Sequence, residues 1–337
     1  MKKTFQKTLI AAAAGVALMS AAGTASANSL LFPYFKVGPT VQSVISLSNG
    51  ATTASATEAI HYSYGVGSTC AHYDNWGKLT ANDIISHSIT PASIGGAGVF
   101  PANDTSTPGY LSQDTGEGFV IVSNVTTNAI DALRGSMAVI EATTGLFLSY
   151  AGIDNMKGTA SAVAGKYTAV GDGSVQEGNF SLAALNAAGA GPAAAKLNFQ
   201  MTWLPTALVT TSWWALPIGD MNSFARGASQ TWGGTFKMTN GQNNVWDNDE
   251  NYVSGTKDTT AACLGGFAVS DLLTPQQALA YKNDPVMSKG GGSGMYKGVG
   301  SVTGADNVIL MKLQKVTSGT AAYDRGTLMH RELGSAP

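Results

Sequence analysis

The chain has 337 residues, with 19 Lys+Arg against 21 Asp+Glu for a net charge of −2, and only 12% of it is charged. A sparse, faintly acidic charge set with no basic tract disfavours nucleic acid and anionic lipid as partners. The length is enough to bury a sizeable core, either in one large β domain or in two smaller ones.

The first residues combine a cationic start (Lys2, Lys3, Lys7), an apolar stretch from Leu9 to Met19 and the small-residue ending Thr24-Ala25-Ser26-Ala27. This order predicts a secretory leader, residues 1–27, cut before Asn28 and exported by the Sec route. The apolar stretch is shorter than the roughly 20 residues needed to span a bilayer. No cysteine follows the cleavage point, which argues against a lipid anchor, and no later segment reaches spanning length. Loss of the three leader lysines takes the net charge to −5. The expected destination is the cell surface or medium, with the periplasm as the alternative.

Beyond the leader, short apolar or alternating runs are separated by Gly, Asn, Ser, Thr and Pro, which predicts strands. In chain order these are Leu30 to Phe35, Gln42 to Ser48, Glu58 to Tyr64, Ile84 to Ile89, Gly118 to Ser123, Gly135 to Glu141 and Leu146 to Tyr150. Lys196 to Trp203, Leu208 to Ala215, Thr235 to Thr239 and Asn307 to Val316 follow. From Val41 to Ser48, Gln42, Ser46 and Ser48 fall on one face and Val41, Ile45 and Leu47 on the other, with Ser43 and Val44 as exceptions. That pattern describes a half-buried antiparallel strand.

Two helices are expected. One is capped by Ser181 and ends at Gly191-Pro192; the other is capped by Thr274 and starts at Pro275. Ala160 to Gly178 and Met287 to Gly304 read as loops or linkers. The fold class is therefore all-β, an antiparallel β-sandwich, Ig-like or jelly-roll-like, with one or two short helices. Residues 28–337 form a single large domain, or two lobes joined near 160–178, and no repeat of fixed period is visible. An outer-membrane barrel calls for evenly spaced strands of about 9 to 11 residues, and the strands here are shorter and uneven.

Two cysteines, Cys70 and Cys263, pair most simply with each other in an oxidising compartment. Such a long closed loop is worth roughly 4–5 kcal/mol in the chain-entropy account. Separate thiols, or a metal role for Cys70 with His72, are the alternatives, although no second ligand pair stands at zinc spacing.

Catalytic signatures are absent: no Gly-x-Ser-x-Gly elbow, phosphate loop, dinucleotide fingerprint or His-Glu-x-x-His pair occurs. His61, His72, His87 and His330 are scattered, and His61, beside Tyr62, Ser63 and Tyr64, reads as a packed or surface histidine. The densest polar run is Trp246-Asp247-Asn248-Asp249-Glu250-Asn251. Asp247, Asp249 and Asn251 alternate as in the opening of a calcium loop, and Asp258 holds the twelfth place, where a closing carboxylate belongs. Tyr252 stands where that loop requires glycine, and the competing reading is an Asx-rich turn. Calcium is the one cofactor the residues suggest.

The chain has six tryptophans. Trp76, Trp213, Trp214 and Trp232 are candidate ligand-stacking platforms, and core packing is the competing assignment for each. Trp213 and Trp214, adjacent in a strand, point to opposite faces, so at most one lies in the core layer.

Taken in order, Leu30-Leu31-Phe32-Pro33-Tyr34-Phe35 and Ser43 to Asn49 resemble the opening of a group of uncharacterised secreted bacterial surface proteins. The likeness continues through His61 to Tyr64, Cys70 to Trp76, Asn82-Asp83-Ile84, Gly118 to Val122, Arg134-Gly135 with Ile140-Glu141, Trp213 to Pro217 and Asp247 to Asn251. Thr159 to Ala195 departs from the pattern. The resemblance implies an extracellular or cell-surface β-sandwich and carries over no catalytic residue.

The expected function is that of a secreted or cell-surface structural or interaction protein, a coat, matrix or appendage subunit without catalysis. Its partners would be copies of itself or other surface proteins, with strand addition through Leu30 to Phe35 as one route and a strand of its own domain as the competing reading of that run. A carbohydrate-binding module with a polysaccharide partner is the alternative. A hydrolase using Asp247, Asp249 or Glu141 is the third reading, and it requires a carboxylate separation that sequence does not give.

Overall fold

The computed structural model describes residues 29–50, 58–69, 71–91, 106–124, 133–141, 146–154, 198–204, 209–219, 235–247, 251–255, 257–262, 265–283, 291–300, 305–318 and 321–328. The chain forms two compact units, Met1–Ala190 with Asp220–Gln230, and Gly191–Gly219 with Thr231–Pro337. Ala160 to Gly178, the expected connection, and the helix expected after Ser181 lie outside the described residues.

The first unit contains β1 (Ser29–Val37), β2 (Val41–Asn49), β3 (Glu58–Val66), β4 (Ala71–Leu79), β5 (Ile84–Ser88), β6 (Gly116–Asn124), β7 (Leu133–Glu141), β8 (Leu146–Ala151) and β9 (Ile153–Asp154). One sheet runs β4-β3-β6-β1-β9 and the other β5-β2-β7-β8, with every pair antiparallel. Alternation sends Tyr62 and Tyr64 of β3 to the same side as Val122 and Val120 of β6. Ile45 of β2 shares a face with His87 and Met137 of the other sheet. The layers meet where His87 Nε2 lies 3.1 Å from the Tyr62 hydroxyl, and where Phe32 packs 6.5 Å from Tyr150 between ring centroids.

Strand β2 is buried along nearly its whole length, on both faces, where its alternation predicted half-burial. Ser43, the exception on its apolar face, has a specific task. Its hydroxyl accepts the Lys36 N–H at 2.9 Å and donates to the Lys36 carbonyl at 2.8 Å, tying β2 to β1 of the other sheet. Strand β6 is likewise buried on both faces, from Phe119 to Ser123, and this accounts for its continuous rather than alternating apolar run.

The second unit contains β10 (Asn198–Trp203), β11 (Val209–Gly219), β12 (Thr235–Asp247), β13 (Tyr252–Ser254), β14 (Asp258–Ala262), β15 (Gly265–Ala268), α1 (Val269–Leu272), α2 (Pro275–Asn283), β16 (Gly292–Gly300), β17 (Ala305–Ser318) and β18 (Ala321–Leu328). One sheet runs β10-β16-β12-β13, with β14 also on β12, and the other runs β15-β11-β17-β18. Trp203 of the first sheet meets Trp213 of the second edge to face, 6.5 Å apart. Helix α2 begins at Pro275 as expected. Thr274 Oγ1 accepts the Gln277 N–H at 3.1 Å and Gln277 Oε1 accepts the Thr274 N–H at 2.9 Å, a reciprocal capping box.

Strand β16 corrects the reading of Met287 to Gly304 as a loop, because Gly292–Gly300 lies between β10 and β12. Its glycines are the reason it was missed, and at one position the packing requires one. A Cβ on Gly292 would stand 2.7 Å from the Trp246 carbonyl and 2.9 Å from the Trp203 ring, so only a bare backbone passes beneath that indole.

Numbered within each unit, the two share one topology. The order fourth-third-sixth-first describes both β4-β3-β6-β1 and (β13, β14)-β12-β16-β10, and fifth-second-seventh-eighth describes both β5-β2-β7-β8 and β15-β11-β17-β18. Strands β13 and β14 together fill the fourth place, because they pair with opposite ends of β12. Both units place the second strand beside the fifth and the third beside the sixth, the pairs B–E and C–F of immunoglobulin sandwiches. They differ from that fold in setting the first strand beside the sixth and the seventh beside the second.

Strand β1 is an interior member of its own sheet, bonded to β6 on one side and to β9 at Leu30 and Leu31 on the other. Past Leu31, side chains take the place of a neighbouring strand. The Tyr150 hydroxyl accepts the Tyr34 N–H at 3.2 Å and donates to the Tyr34 carbonyl, while Ser43 serves Lys36. Strand β4, at the other end, is bridged by reciprocal 2.9 Å bonds between Lys78 and Thr107. Capped edges oppose strand addition, so Leu30 to Phe35 is a strand of its own domain. Tyr150→Phe should cost about 1–2 kcal/mol by removing both bonds between its hydroxyl and the Tyr34 backbone, measured by equilibrium denaturation.

Candidate functional site: a histidine–aspartate–tryptophan face on hairpin β3–β4

Strands β3 and β4 pair without a break from Glu58↔Leu79 to Val66↔Ala71. With Tyr62 and Tyr64 turned into the core, His61 and Ser63 lie on the opposite face of the sheet, where both are buried. The register places Trp76, Asp74 and His72 across from His61, Ser63 and Gly65, so all of them share that face, with the β4 side chains partly exposed. Gly65 is bare because a Cβ there would stand 2.2 Å from the Phe119 ring.

The polar atoms converge on one carboxylate oxygen. Asp74 Oδ1 lies 2.9 Å from His61 Nε2 and 3.0 Å from His72 Nε2, and Ser63 Oγ lies 2.9 Å from His72 Nε2. Burial by itself raises the Asp74 pKa, but hydrogen bonds from His61 and His72, with their charge when protonated, outweigh it and hold the carboxyl well below the usual range. Trp76 lies over His61 with ring centroids 4.4 Å apart and planes 35° from parallel.

Ser63, His72 and Asp74 have the residue types of a catalytic triad but not its wiring. A triad sets serine and aspartate on different imidazole nitrogens, whereas here both address Nε2 of His72. A nitrogen whose proton is held by Asp74 has no lone pair with which to take one from Ser63. The arrangement suits recognition: a carboxylate fixed in its ionised form beside an aromatic plane.

The other sequence candidates fall elsewhere. Trp213 and Trp214 are core residues, 0% and 3% exposed, so neither offers a ring face to a ligand. The expectation that at most one of the pair lies in the core fails, because β11 is covered on both sides at this point. Trp213 also stacks on Phe267 at 6.3 Å. Trp232, Asp249, His330, Cys70 and Cys263 lie outside the described residues.

Asp247 and Asn251 close the β12–β13 hairpin on each other. Asp247 Oδ1 accepts the Asn251 N–H at 2.8 Å and Oδ2 accepts Nδ2 at 3.0 Å, while the Asp247 N–H reaches the Asn251 carbonyl at 3.0 Å. Asp258 is paired in β14 with Thr239, at the other end of β12, so these three do not form the closed ion loop that their spacing suggested. Asp247 and Asn251 instead bond to each other across the hairpin end. Among the described residues no group of three or more His, Cys, Asp or Glu is placed to hold a metal ion.

The His61–Asp74–His72 cluster does not stand out in the sequence, where the four histidines read as scattered and His61 as a packed or surface residue; His61 is packed. The signal was present as two i, i+2 polar series, His61-x-Ser63 and His72-x-Asp74-x-Trp76, flanking a glycine turn. They meet only when the hairpin register is known. Among the described residues no helix is long and apolar enough to cross a membrane. No family model, no curated protein and no solved structure matches the chain.

Proposed function

We propose that this chain is exported and acts at the cell surface as a structural or interaction protein, working through the faces of its sandwiches rather than by catalysis. The observation that carries the reading is the repetition of one eight-strand topology in both units. Repeating a sandwich multiplies recognition surface, which is the need of a coat, matrix or adhesive subunit. The leader-like residues 1–27 and the 12% charge content support it, as does the misplaced wiring of Ser63, His72 and Asp74. Cys70 and Cys263 are taken to be disulfide-bonded, in keeping with an oxidising destination.

Cell fractionation with intact-mass measurement tests this directly. The expected product starts at Asn28, is found outside the inner membrane, and is lighter by two hydrogens than the dithiol form. A cytosolic product with residues 1–27 intact would end the proposal, and two alkylatable thiols would remove the disulfide. A second reading, carbohydrate binding, is favoured by the Trp76–Asp74 pair on hairpin β3–β4.

A further inference from the structure

Among the described residues, five tryptophans sort by place in the fold. Trp203, Trp213 and Trp214 are buried in the second unit, whereas Trp76 and Trp246 are half-buried. Both half-buried rings belong to the same topological element, the edge hairpin made by the third and fourth strands: β3–β4 in one unit and β12–β13 in the other. In each hairpin the residue directly across from the tryptophan is itself a ring residue, His61 opposite Trp76 and Tyr252 opposite Trp246.

We propose that these two hairpins are glycan-binding elements, each seating one pyranose of a neutral polysaccharide against its tryptophan. This rests on the carbohydrate reading given second above, and it names the sites and the ligand class. A pyranose ring has an apolar C–H face, whose hydrogens meet the electron-rich face of an indole, and a rim of hydroxyls that require acceptors. At β3–β4 both are supplied. Trp76 lies over His61, which fixes the plane of the indole, so little side-chain freedom is lost on binding.

Two residues away on the same face, about 7 Å along the strand, stands Asp74. Its Oδ1 takes both histidines, its Oδ2 has no hydrogen bond among the described residues, and the side chain is 20% exposed. That oxygen is placed to accept a sugar hydroxyl while the ring rests on the indole. At β12–β13, Asp247, on the strand face opposite Trp246, locks the hairpin end through Asn251. The Asp74 carboxylate beside Trp76 and the negative net charge disfavour polyuronates and other anionic glycans.

The test uses the purified mature chain with cellohexaose, maltohexaose and chitohexaose, and with polygalacturonate as the anionic comparison. At least one neutral hexaose should bind by calorimetry, and the double variant Trp76→Ala, Trp246→Ala should lose at least about tenfold in affinity with an unchanged circular dichroism spectrum. Oxidative footprinting of the unaltered chain provides a check that does not depend on how the variant folds. Trp76 and Trp246 should be oxidised in the free protein and protected several-fold by saturating hexaose, while Trp213 should be inert throughout. Binding limited to polygalacturonate, no binding at all, or binding without protection of either tryptophan overturns the proposal. A surface-located protein that binds none of the sugars removes only the glycan sites and leaves the wider function standing, whereas a cytosolic location removes the wider function.

Discussion

Trp213→Ala is expected to lower the unfolding free energy by roughly 3–5 kcal/mol, the range for truncating a large buried aromatic. The ring is 0% exposed and sits between the layers of the second sandwich, edge-on to Trp203 and stacked on Phe267. Its Nε1 has no hydrogen-bond partner among the described residues, so what the ring contributes is packing. Trp213→Phe should therefore cost distinctly less than Trp213→Ala, because it keeps an aromatic ring in the layer and removes an unanswered donor. Denaturant titration of the three proteins checks the order. Equal losses for Phe and Ala would mean that the ring is not packed as described.

The first sandwich should weaken as pH falls from about 6.5 to about 4, through His87. This residue is fully buried, and burial pushes its pKa down to about 4 against a small opposing effect of the Ser88 carbonyl. Its ring nitrogens meet that carbonyl at 2.8 Å and the Tyr62 hydroxyl at 3.1 Å, and Tyr110 packs edge-on at 5.4 Å. The unfolded chain takes up a proton near pH 6.5, while the folded chain refuses it until about pH 4.

Between those values the unfolded state binds more protons. The stabilising contribution is thus complete above 6.5 and is lost on acidification, by about 3 kcal/mol over the window. His87→Gln should flatten that part of the stability–pH curve even though it lowers the curve as a whole. An unaltered slope in the variant would show that the titration belongs to other groups. Asp74 works in a separate window, because its depressed pKa gives stability that is lost only below the ordinary carboxylate range of about pH 4.

Local chemistry made much of the architecture legible. Strands β1, β2, β3, β6, β7 and β11 sit where alternation or a continuous apolar run put them, within a few residues at each end. Thr274-Pro275 announced α2 because a cap and its proline are neighbours in sequence. Misses occurred where the determining contact is distant. The polar run Ala71 to Leu79 shows no apolar period, yet it is a strand because β3 offers it a full ladder. The glycine-rich segment from Gly292 is a strand because two neighbours need a slim backbone between them. Asp247, Asn251 and Asp258 had the spacing of an ion loop, but Asp247 bonds to Asn251 while Asp258 pairs at the other end of β12.

The primary structure by itself determined the class: many short extended segments, antiparallel connections and a weakly charged surface, because period and turn chemistry are properties of adjacent residues. Only the tertiary structure decided that Trp213 and Trp214 are both covered, that one strand order occurs twice without a visible sequence repeat, and that His61, His72 and Asp74 meet. The physical reason is that a strand's pattern fixes which side chains share a face. What lies across that face and beside that edge is set by pairing partners far away in the chain, and no local period encodes them.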